Sequence, residues 1–387
     1  MRREWMGIGR LIAFLLRKDR LKIATWLAGL FLVTVSTAGA YPSVYKTSED
    51  LMGFALTMEN PAMKAMLGPG YDGANLTTSL AFATEMLMFS AIAAAVMNIL
   101  LVGRATRADE EAGRLELIRS LPVGRLSYLG AALTEALVVN GLLALLIGAG
   151  LSGIELEGLT AEGAFLYGAI LGSSGFFFAG ITALFAQLAE TSRGAQGFAF
   201  GTLIAVYILR AVGDVEAEAA SLLSPLGWVS RAYVFRDNEW WPVWLSLATT
   251  AILVAVSLFL NVVRDMGAGI LPARKGRRHA TALLKTPVGF VLRQQRTAAL
   301  SWTIGLFLLA ASFGAILGEL ETYYSDMELI VQMLGEEAST SLTESFLSLL
   351  IVIMTLFSIV PGLLTVLKLQ REEAGNRTEL IYSGAVS

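Results

Sequence analysis

Long apolar stretches recur along this chain, and they restrict it to a membrane. Each is about 20 residues long, the length that a helix needs to cross the hydrocarbon core of a bilayer. Only 16% of the 387 residues are charged, against about 25% in soluble domains. The sequence therefore predicts an all-α polytopic membrane protein with about eight transmembrane helices. They are expected at 23–41, 81–103, 127–152, 164–187, 195–213, 242–263, 298–317 and 343–367.

The glycines of two of these stretches are expected to have a packing role. Gly172, Gly175 and Gly180 lie in the fourth stretch, and Gly197 and Gly201 lie in the fifth. Small residues let helix backbones approach closely in a membrane, where burial of apolar surface gives no drive to associate. We therefore expect these glycines to face neighbouring helices.

Positive charge in the connecting segments predicts their sidedness. Lysine and arginine concentrate in cytosolic loops, and almost all of the 29 in this chain lie in alternate segments. The segment 318–342 between two basic segments carries only acidic charge. Both termini are therefore predicted to be cytosolic, and the external loop 42–80 is expected to hold short helices that cap the outer mouth. The basic segments are 1–22, 104–125, 187–197, 264–297 and 368–387.

Parts of the sequence occur twice in the same order. Trp26 and Gly29-Leu30-Phe31 recur 276 residues later as Trp302 and Gly305-Leu306-Phe307, and a later charged string recurs as well. The first copy has six predicted helices, an even number, so both copies begin on the same side and form a parallel repeat. The second copy ends after two helices, so the chain is expected to be cut short. The predicted domains are an amphipathic interfacial helix at 1–22, a six-helix unit at 23–263, a basic linker with an interfacial helix at 264–297, and an incomplete second unit at 298–387.

The repeated charged string is the first candidate functional element. Glu110-Glu111-Ala112-Gly113 recurs as Glu372-Glu373-Ala374-Gly375, within the cytosolic segments 104–125 and 371–386. Leu115, Ile118 and Leu121 have helical spacing, which predicts a short helix parallel to the membrane. A solvated connecting loop is the alternative, but a connector has little reason to repeat its charges, so a docking surface for a cytosolic partner is favoured. The candidate residues are Arg107, Glu110, Glu111, Gly113, Arg114, Glu116, Arg119, Glu372, Glu373 and Glu379.

Ionisable and methionine side chains inside the spans are candidates for a substrate pathway. Charges at membrane depth are costly, and they usually face a bundle interior or an aqueous cavity. Methionine is deformable and suits promiscuous apolar binding. The alternatives are charged side chains that reach water at the helix ends and methionines that only pack against lipid or helices. The candidates are Glu85, Met88, Met97, Glu135, Arg210 and Glu344.

The string from Glu110 to Val123 (Glu-Glu-Ala-Gly-Arg-Leu-Glu-Leu-Ile-Arg-Ser-Leu-Pro-Val) resembles that of antibiotic-exporter permeases of the ABC-2 type, in the tetronasin-resistance family. The stretches around 192–214 and 224–242 resemble the same family. The resemblance implies a plasma-membrane exporter of a prokaryote with twelve helices in two halves. It also implies a dimer of separate ATPase subunits, holding ATP and magnesium, that docks on 107–122 and 371–383. This chain ends before the last four helices of that pattern.

The sequence also bears on other classes of function. No Gly-x-x-x-x-Gly-Lys-Ser/Thr phosphate loop occurs in the chain, so a permease would take its energy from a partner subunit and bind no cofactor itself. An ion-coupled secondary multidrug transporter, with Glu85, Glu135 and Glu344 as proton sites, remains the main alternative. A chain without cysteine and with His279 as its one histidine gives no metal or cysteine chemistry for an enzyme. A membrane regulator that does not transport is a further possibility. The expected partners are the ATPase dimer, the bilayer and a hydrophobic, drug-like substrate, with no nucleic acid.

Overall fold

The computed structural model describes residues 4–70, 76–265, 267–271, 279, 286–326 and 336–374. Within these ranges every regular element is a helix, and the chain divides into two compact units, Met1–Arg274 and Lys275–Ser387. The helices of the first unit are α1 (Ile8–Val44), α2 (Ser48–Glu59), α3 (Pro61–Leu67), α4 (Thr78–Gly103), α5 (Asp109–Glu111), α6 (Arg114–Arg119), α7 (Ser127–Ser152), α8 (Ala161–Leu188), α9 (Ser192–Val215), α10 (Glu218–Leu222), α11 (Pro225–Ser230) and α12 (Trp241–Val263). The second unit contains α13 (Pro287–Asp326) and α14 (Glu336–Ala374).

Seven of the described helices are long and apolar enough to cross a membrane. Six of them belong to the first unit, namely α1, α4, α7, α8, α9 and α12, and the seventh is the stretch Leu350–Lys368 of α14. This confirms the prediction of an all-α polytopic membrane protein. The predicted span 298–317 lies within α13, many of whose side chains fall outside the described set, and α13 is not among the seven.

The first helix differs from its prediction. The sequence pattern suggested an interfacial helix that ends near residue 22 and a separate span from residue 23, whereas α1 is one continuous helix of 37 residues. No proline or glycine lies between Arg10 and Ala28, so nothing in the sequence interrupts the backbone there. The amphipathic stripe of its first turns packs against protein: Leu11 and Leu15 are buried with Leu115 and Tyr128.

Helix α8 lies at the centre of the first unit, and glycines let its neighbours approach. Most of its apolar span is buried. A Cβ atom on Gly168 would lie 2.2 Å from the carbonyl oxygen of Ala144 in α7, and one on Gly172 would lie 2.7 Å from that of Asn140. Gly180 faces α12, where a Cβ atom would lie 3.3 Å from the side chain of Leu253. At Gly168 and Gly172 the helix backbones approach so closely that a larger residue would prevent the contact, as membrane helix packing predicts.

The glycines of α9 behave differently from this expectation. A Cβ atom on Gly197 or Gly201 would meet nothing within 4 Å among the described residues, so neither glycine serves close packing in this unit. Helix α9 buries only a narrow side of its apolar span, and these two positions lie away from it. The fifth stretch therefore forms a helix as predicted, but without a glycine interface of its own.

A pair of asparagines joins α4 to α7 inside the bundle. The Asn98 side-chain amide donates to Oδ1 of Asn140 at 3.0 Å, and the Asn140 amide donates to Oδ1 of Asn98 at 2.7 Å. Both side chains are buried, and Gly175 of α8 leaves the space that they occupy. Reciprocal amides satisfy each other away from water, so this pair can sit where single polar groups would be costly.

Helices α2 and α3 lie between α1 and α4, in the predicted external loop. Helix α2 begins with a capping box in which Thr47 and Asp50 satisfy each other's backbone amides. In the second unit α13 packs along α14, with Thr365 donating to Gln295 at 3.4 Å. Each predicted repeat thus opens with one long uninterrupted helix, although the repeat itself remains a prediction.

Candidate functional site

Residues 104–122, here called the coupling segment, follow α4 but do not continue it as a regular α-helix. The helix widens into a π-helix at Arg104–Ala108, continues as α5, and turns at Gly113 before α6 begins. Gly113 has φ +70°, a conformation that glycine adopts without steric cost. A single docking helix over 107–122 was predicted, and this turn divides it into two short helices.

Arg107 fixes the base of the coupling segment to distant parts of the first unit. Its side chain is only 1% exposed. The guanidinium donates to the carbonyl oxygen of Glu190, after the end of α8, from Nε at 2.9 Å and from Nη2 at 2.5 Å. It also donates to the carbonyl oxygens of Gly267 at 3.1 Å and Ala268 at 3.3 Å. Since all these acceptors are backbone atoms, Arg107 acts as a clamp between two chain segments.

Glu110 completes this clamp from the next turn. Its carboxylate accepts from Arg264 Nη2 at 2.8 Å and from the backbone amide of Gly267 at 2.8 Å, and Arg107 lies 3.0 Å away. Arg264 follows α12 and donates to the carbonyl oxygen of Ala268 at 3.0 Å. The three charged side chains are each at most 9% exposed. They form what we call the inner ionic cluster: Arg107, Glu110 and Arg264.

Asp109 links the same segment to α1. The buried carboxylate of Asp109 accepts from Lys18 of α1, from Tyr128 Oη of α7 at 2.5 Å and from Arg114 Nη1 at 2.7 Å. In addition, Leu115 of α6 packs on the apolar stripe of α1. The segment is thus held from two directions, by α1 through Lys18 and by the chain after α12 through Arg264.

The opposite face of the coupling segment is open to solvent. Glu111 and Glu116 are exposed, as are two large apolar side chains, Leu117 at 74% and Leu121 at 60%. The Arg114 side chain is 58% exposed, while Arg119 is half-buried and donates to the carbonyl oxygen of Arg125 at 3.5 Å. The seven predicted coupling residues of this segment therefore do not all lie on one surface. Arg107 and Glu110 are anchors at its base, whereas Glu111, Arg114 and Glu116 are exposed beside Leu117 and Leu121.

The second copy of the charged string falls mostly outside the described residues. Glu379 and the rest of 375–387 lie beyond them. Glu372 and Glu373 belong to the last turn of α14, where Glu373 is exposed and the side chain of Glu372 is not described. A docking role for this copy stays a prediction.

Two candidates for the substrate pathway lie at the end of the first unit away from the coupling segment, which the sequence predicts to be the outer end. Glu85 is half-buried, and its carboxylate accepts from the hydroxyls of Tyr41 and of Tyr45, the latter at 3.0 Å. Arg210 is fully buried and lies 3.2 Å from the carboxylate of Asp214. Arg210 also donates to the carbonyl oxygen of Met66 at 3.0 Å. The hydroxyl of Tyr207, which precedes Arg210 in α9, donates to the same oxygen.

The remaining pathway candidates are spread along the bundle. Met88 is buried near the loop that follows α3, and Met97 lines a larger cavity near the coupling segment. Glu135 of α7 is fully buried, and neither of its carboxylate oxygens has a hydrogen-bond partner among the described residues. Glu344 lies in α14 and its side chain is outside the described set.

Sequence reasoning missed the residues that hold the coupling segment. Lys18, Asp109, Tyr128 and Arg264 were not among the candidates, because their partners are up to 154 residues away in sequence. The one local indication of these contacts was the run of three acids Asp109-Glu110-Glu111, because three successive helical residues face different surroundings. A single sequence does not reveal which of three adjacent acids is buried.

The fold defines a multi-pass, all-helical membrane protein with six membrane-length helices in one unit and a charged segment clamped at one end of them. The sequence profile of the family "Multidrug efflux system permease Rv1217c, C-terminal domain" matches residues 9–260 and 284–387. The chain is also 33% identical, over 386 aligned residues, to the multidrug efflux system permease protein Rv1217c of Mycobacterium tuberculosis, covering 97% of this chain and 68% of that protein. The chain belongs to this family of multidrug efflux permeases, and the two matched blocks are separated at the predicted basic linker.

Proposed function

We propose that this chain is the permease of an ATP-driven exporter of the ABC-2 type, in the plasma membrane of a prokaryote, with both termini cytosolic. Its substrates are antibiotics or other hydrophobic and amphipathic compounds, and a dimer of separate ATPase subunits hydrolyses ATP with magnesium. The relative in Mycobacterium tuberculosis is a multidrug efflux permease. The resemblance of the coupling string to antibiotic exporters, including the tetronasin-resistance type, supports the same reading.

The observation that carries this proposal is the two-sided construction of the coupling segment. One side is fixed by buried ion pairs to α1, to the end of α8 and to the chain after α12. The other side exposes Glu111, Glu116, Leu117 and Leu121. Exposed large apolar side chains among charges are typical of a protein–protein contact. A partner that pushes on this face would move α1, α8 and α12 together, as coupling to a motor subunit requires.

Co-purification with the ATPase subunits, followed by a drug-stimulated ATPase assay, tests the proposal. The double variant Glu111→Lys, Glu116→Lys reverses the charge of the exposed face without touching the buried anchors. We expect it to fold normally and to lose ATPase binding and drug stimulation. The matched control is Glu59→Lys, Glu239→Lys, which makes the same charge change at exposed positions at the other end of the unit.

The two possible outcomes can be told apart. Loss of stimulation in the first variant alone supports docking on the coupling segment. Normal binding and stimulation in that variant would overturn the assignment. Reversal at Glu110 is a poor test of docking, because Glu110 is buried against Arg107 and Arg264 and its reversal would disrupt the segment itself.

Glu135 favours a second candidate function, ion-coupled secondary transport. It is a buried carboxyl group at membrane depth without a hydrogen-bond partner among the described residues, a setting in which proton carriers are found. Its carboxyl group interacts electrostatically with the charges of Asp19, Lys18 and Asp109. Proteoliposomes with the chain alone test this function. Drug uptake driven by a pH gradient, lost in Glu135→Gln, would support secondary transport, and uptake only with ATPase and ATP would exclude it.

A further inference from the structure

A cavity of about 290 Å³ opens among α1, α4, α7 and α9 beside the coupling segment. Its walls are apolar on one side, formed by Ile23, Trp26, Met97, Leu100, Leu101 and Val139. Its other side is polar, formed by Asp19, Lys22, Arg104 and Gln196. The volume is near the lower end of the range of about 300–1,000 Å³ for pockets that bind small molecules.

The carboxylate of Asp19 is the central polar group. Asp19 is only 2% exposed, and its Oδ2 has no hydrogen-bond partner among the described residues. Its Oδ1 lies 3.4 Å from Lys22 Nζ and 3.3 Å from Arg104 Nη1. A buried carboxylate oxygen without a donor is costly, so the cavity is incomplete without one.

The two cations differ from Asp19 in their surroundings. The Lys22 side chain is 50% exposed and that of Arg104 is 38% exposed, so both stand at the mouth and can meet a further anion. The polar side thus offers two cations for an anionic group and, deeper, one carboxylate oxygen for an N–H donor. The apolar side offers a surface for a hydrocarbon chain next to the ring of Trp26.

We propose that this cavity binds a phospholipid whose head group carries a primary amine, such as phosphatidylethanolamine. The phosphate lies between Lys22 and Arg104, the ammonium donates to Asp19 Oδ2, and one acyl chain lies along Trp26 and Leu100. Such a lipid pairs each charged group of the cavity, which neither a purely anionic nor a purely cationic amphiphile does. This inference does not depend on ATPase docking or on which compounds the chain exports.

The place of the cavity in the fold supports this occupant. Asp19 and Lys22 precede the predicted span 23–41, and Arg104 follows the predicted span 81–103, so the polar side lies at the level of lipid head groups in the predicted topology. Arg104 and Ala108 belong to the π-helix at the end of α4. Such π-bulges are frequent at functional sites, because the wider turn moves side chains out of the helical register.

Tryptophan quenching by brominated phospholipids tests the proposal on the whole chain in mixed micelles. Three probes with identical brominated acyl chains carry an ethanolamine, a choline or a glycerol head group. The difference between the wild-type chain and Trp26→Phe isolates the signal from the cavity. We expect the ethanolamine lipid to bind roughly tenfold tighter than the other two, since only its ammonium can donate a charge-assisted hydrogen bond to Asp19 while its phosphate meets the cations.

Three variants and one soluble competitor sharpen the test. Asp19→Asn is expected to remove the preference for ethanolamine, and Lys22→Gln with Arg104→Gln is expected to weaken all three lipids. The control Arg20→Gln, an exposed cation on the same helix that does not line the cavity, is expected to change nothing. Free phosphoethanolamine is expected not to compete, because it lacks the chain.

Several results would overturn the proposal. Equal affinity for the three head groups in the wild-type chain is one, and this comparison needs no variant to fold. A preference that survives in Asp19→Asn is another, as is quenching that does not depend on Trp26. Effective competition by free phosphoethanolamine would mean that the ligand is a soluble phosphate ester and not a lipid.

Discussion

Both ends of the first unit contain a buried ionic cluster, but the two clusters join different things. At the outer end Asp214 forms ion pairs with Arg210 at 3.2 Å and with Arg231 at 3.6 Å. All three side chains are buried, and they belong to the stretch that runs from α9 to just after α11. At the inner end Glu110 forms ion pairs with Arg107 and Arg264, which lie 157 residues apart in sequence. The outer cluster organises one loop, whereas the inner cluster ties several separate segments to one point.

The two clusters differ in how many separate parts of the unit would move with them. Of the contacts of Arg210 with described residues, only the bond to the carbonyl oxygen of Met66 leaves the α9–α11 region. Arg107 contacts the end of α8 and the chain after α12, and the neighbouring Asp109 contacts α1. We therefore interpret the outer cluster as a fixed element of the end that the sequence predicts to be external, and the inner cluster as the point where a force on the coupling segment would spread.

Removal of the central arginine from either cluster has the largest expected effect. Arg107→Met and Arg210→Met each leave a buried carboxylate with one cation fewer, which costs about 3 kcal/mol of stability. We expect both to lower the unfolding temperature of the purified chain by a similar amount. At temperatures where both are folded, only Arg107→Met should lose drug-stimulated ATPase activity.

The matched control is Arg114→Met, because the Arg114 side chain is 58% exposed and its loss leaves Asp109 with Lys18 and Tyr128. It should change the unfolding temperature little. If Arg210→Met abolished coupling as Arg107→Met does, the distinction between the two ends would be wrong.

Glu135 provides the opposite case, a buried carboxyl group that forms no ion pair with any described residue. Both of its oxygens lack hydrogen-bond partners among the described residues, so burial of this group costs stability rather than adding to it. Glu135→Leu is expected to stabilise the chain by about 1–2 kcal/mol. The measurement is the same thermal unfolding assay, and a loss of stability would mean that Glu135 has a structural partner. A stable variant that no longer exports drug would assign Glu135 a role in transport.

Lys18 connects α1 to the coupling segment from the other side of the inner cluster. Lys18→Met keeps the apolar stem and removes the ammonium, so Asp109 retains Tyr128 and Arg114. The expected loss is about 1.5 kcal/mol, the value of one hydrogen bond to a charged group. Lys22→Met on the same helix is the control, because the Lys22 side chain is half-exposed and does not contact Asp109. Equal losses in the two variants would show that Asp109 does not depend on Lys18.

The helices could be predicted from the sequence because each is a long apolar run, which length and hydropathy alone reveal. The predicted spans 127–152 and 242–263 agree with α7 and α12 to within a residue. The turn at Gly113 was not predicted, and the continuity of α1 was missed although no proline or glycine lies between Arg10 and Ala28. A helical spacing of Leu115, Ile118 and Leu121 indicates one apolar face but not where the backbone turns.

The sequence placed a charged segment after the second span, but it did not show which of its charged residues are buried. Glu110 and Glu111 are adjacent and chemically alike, yet Glu110 is buried in the inner cluster and Glu111 is exposed. What separates them is Arg264, which only the folded chain brings within 2.8 Å of Glu110. The same reason hid Asp19, whose surroundings include one residue of α9 and two of the π-helix.

The smallest expected effect on stability concerns Leu117, on the exposed face of the coupling segment. Its side chain is 74% exposed, so Leu117→Ala should change the free energy of unfolding by less than about 0.5 kcal/mol. Its effect on the ATPase partner should be much larger, roughly tenfold in affinity, because an apolar side chain that becomes buried in a contact contributes in proportion to its area. Affinity measured at low and high salt separates this contribution from that of the acids. Glu111 and Glu116 should lose their effect at high salt, since exposed charges are screened, while the loss from Leu117→Ala should persist. A face whose whole effect vanished with salt would be held by charge alone, and the exposed leucines would then have no part in docking.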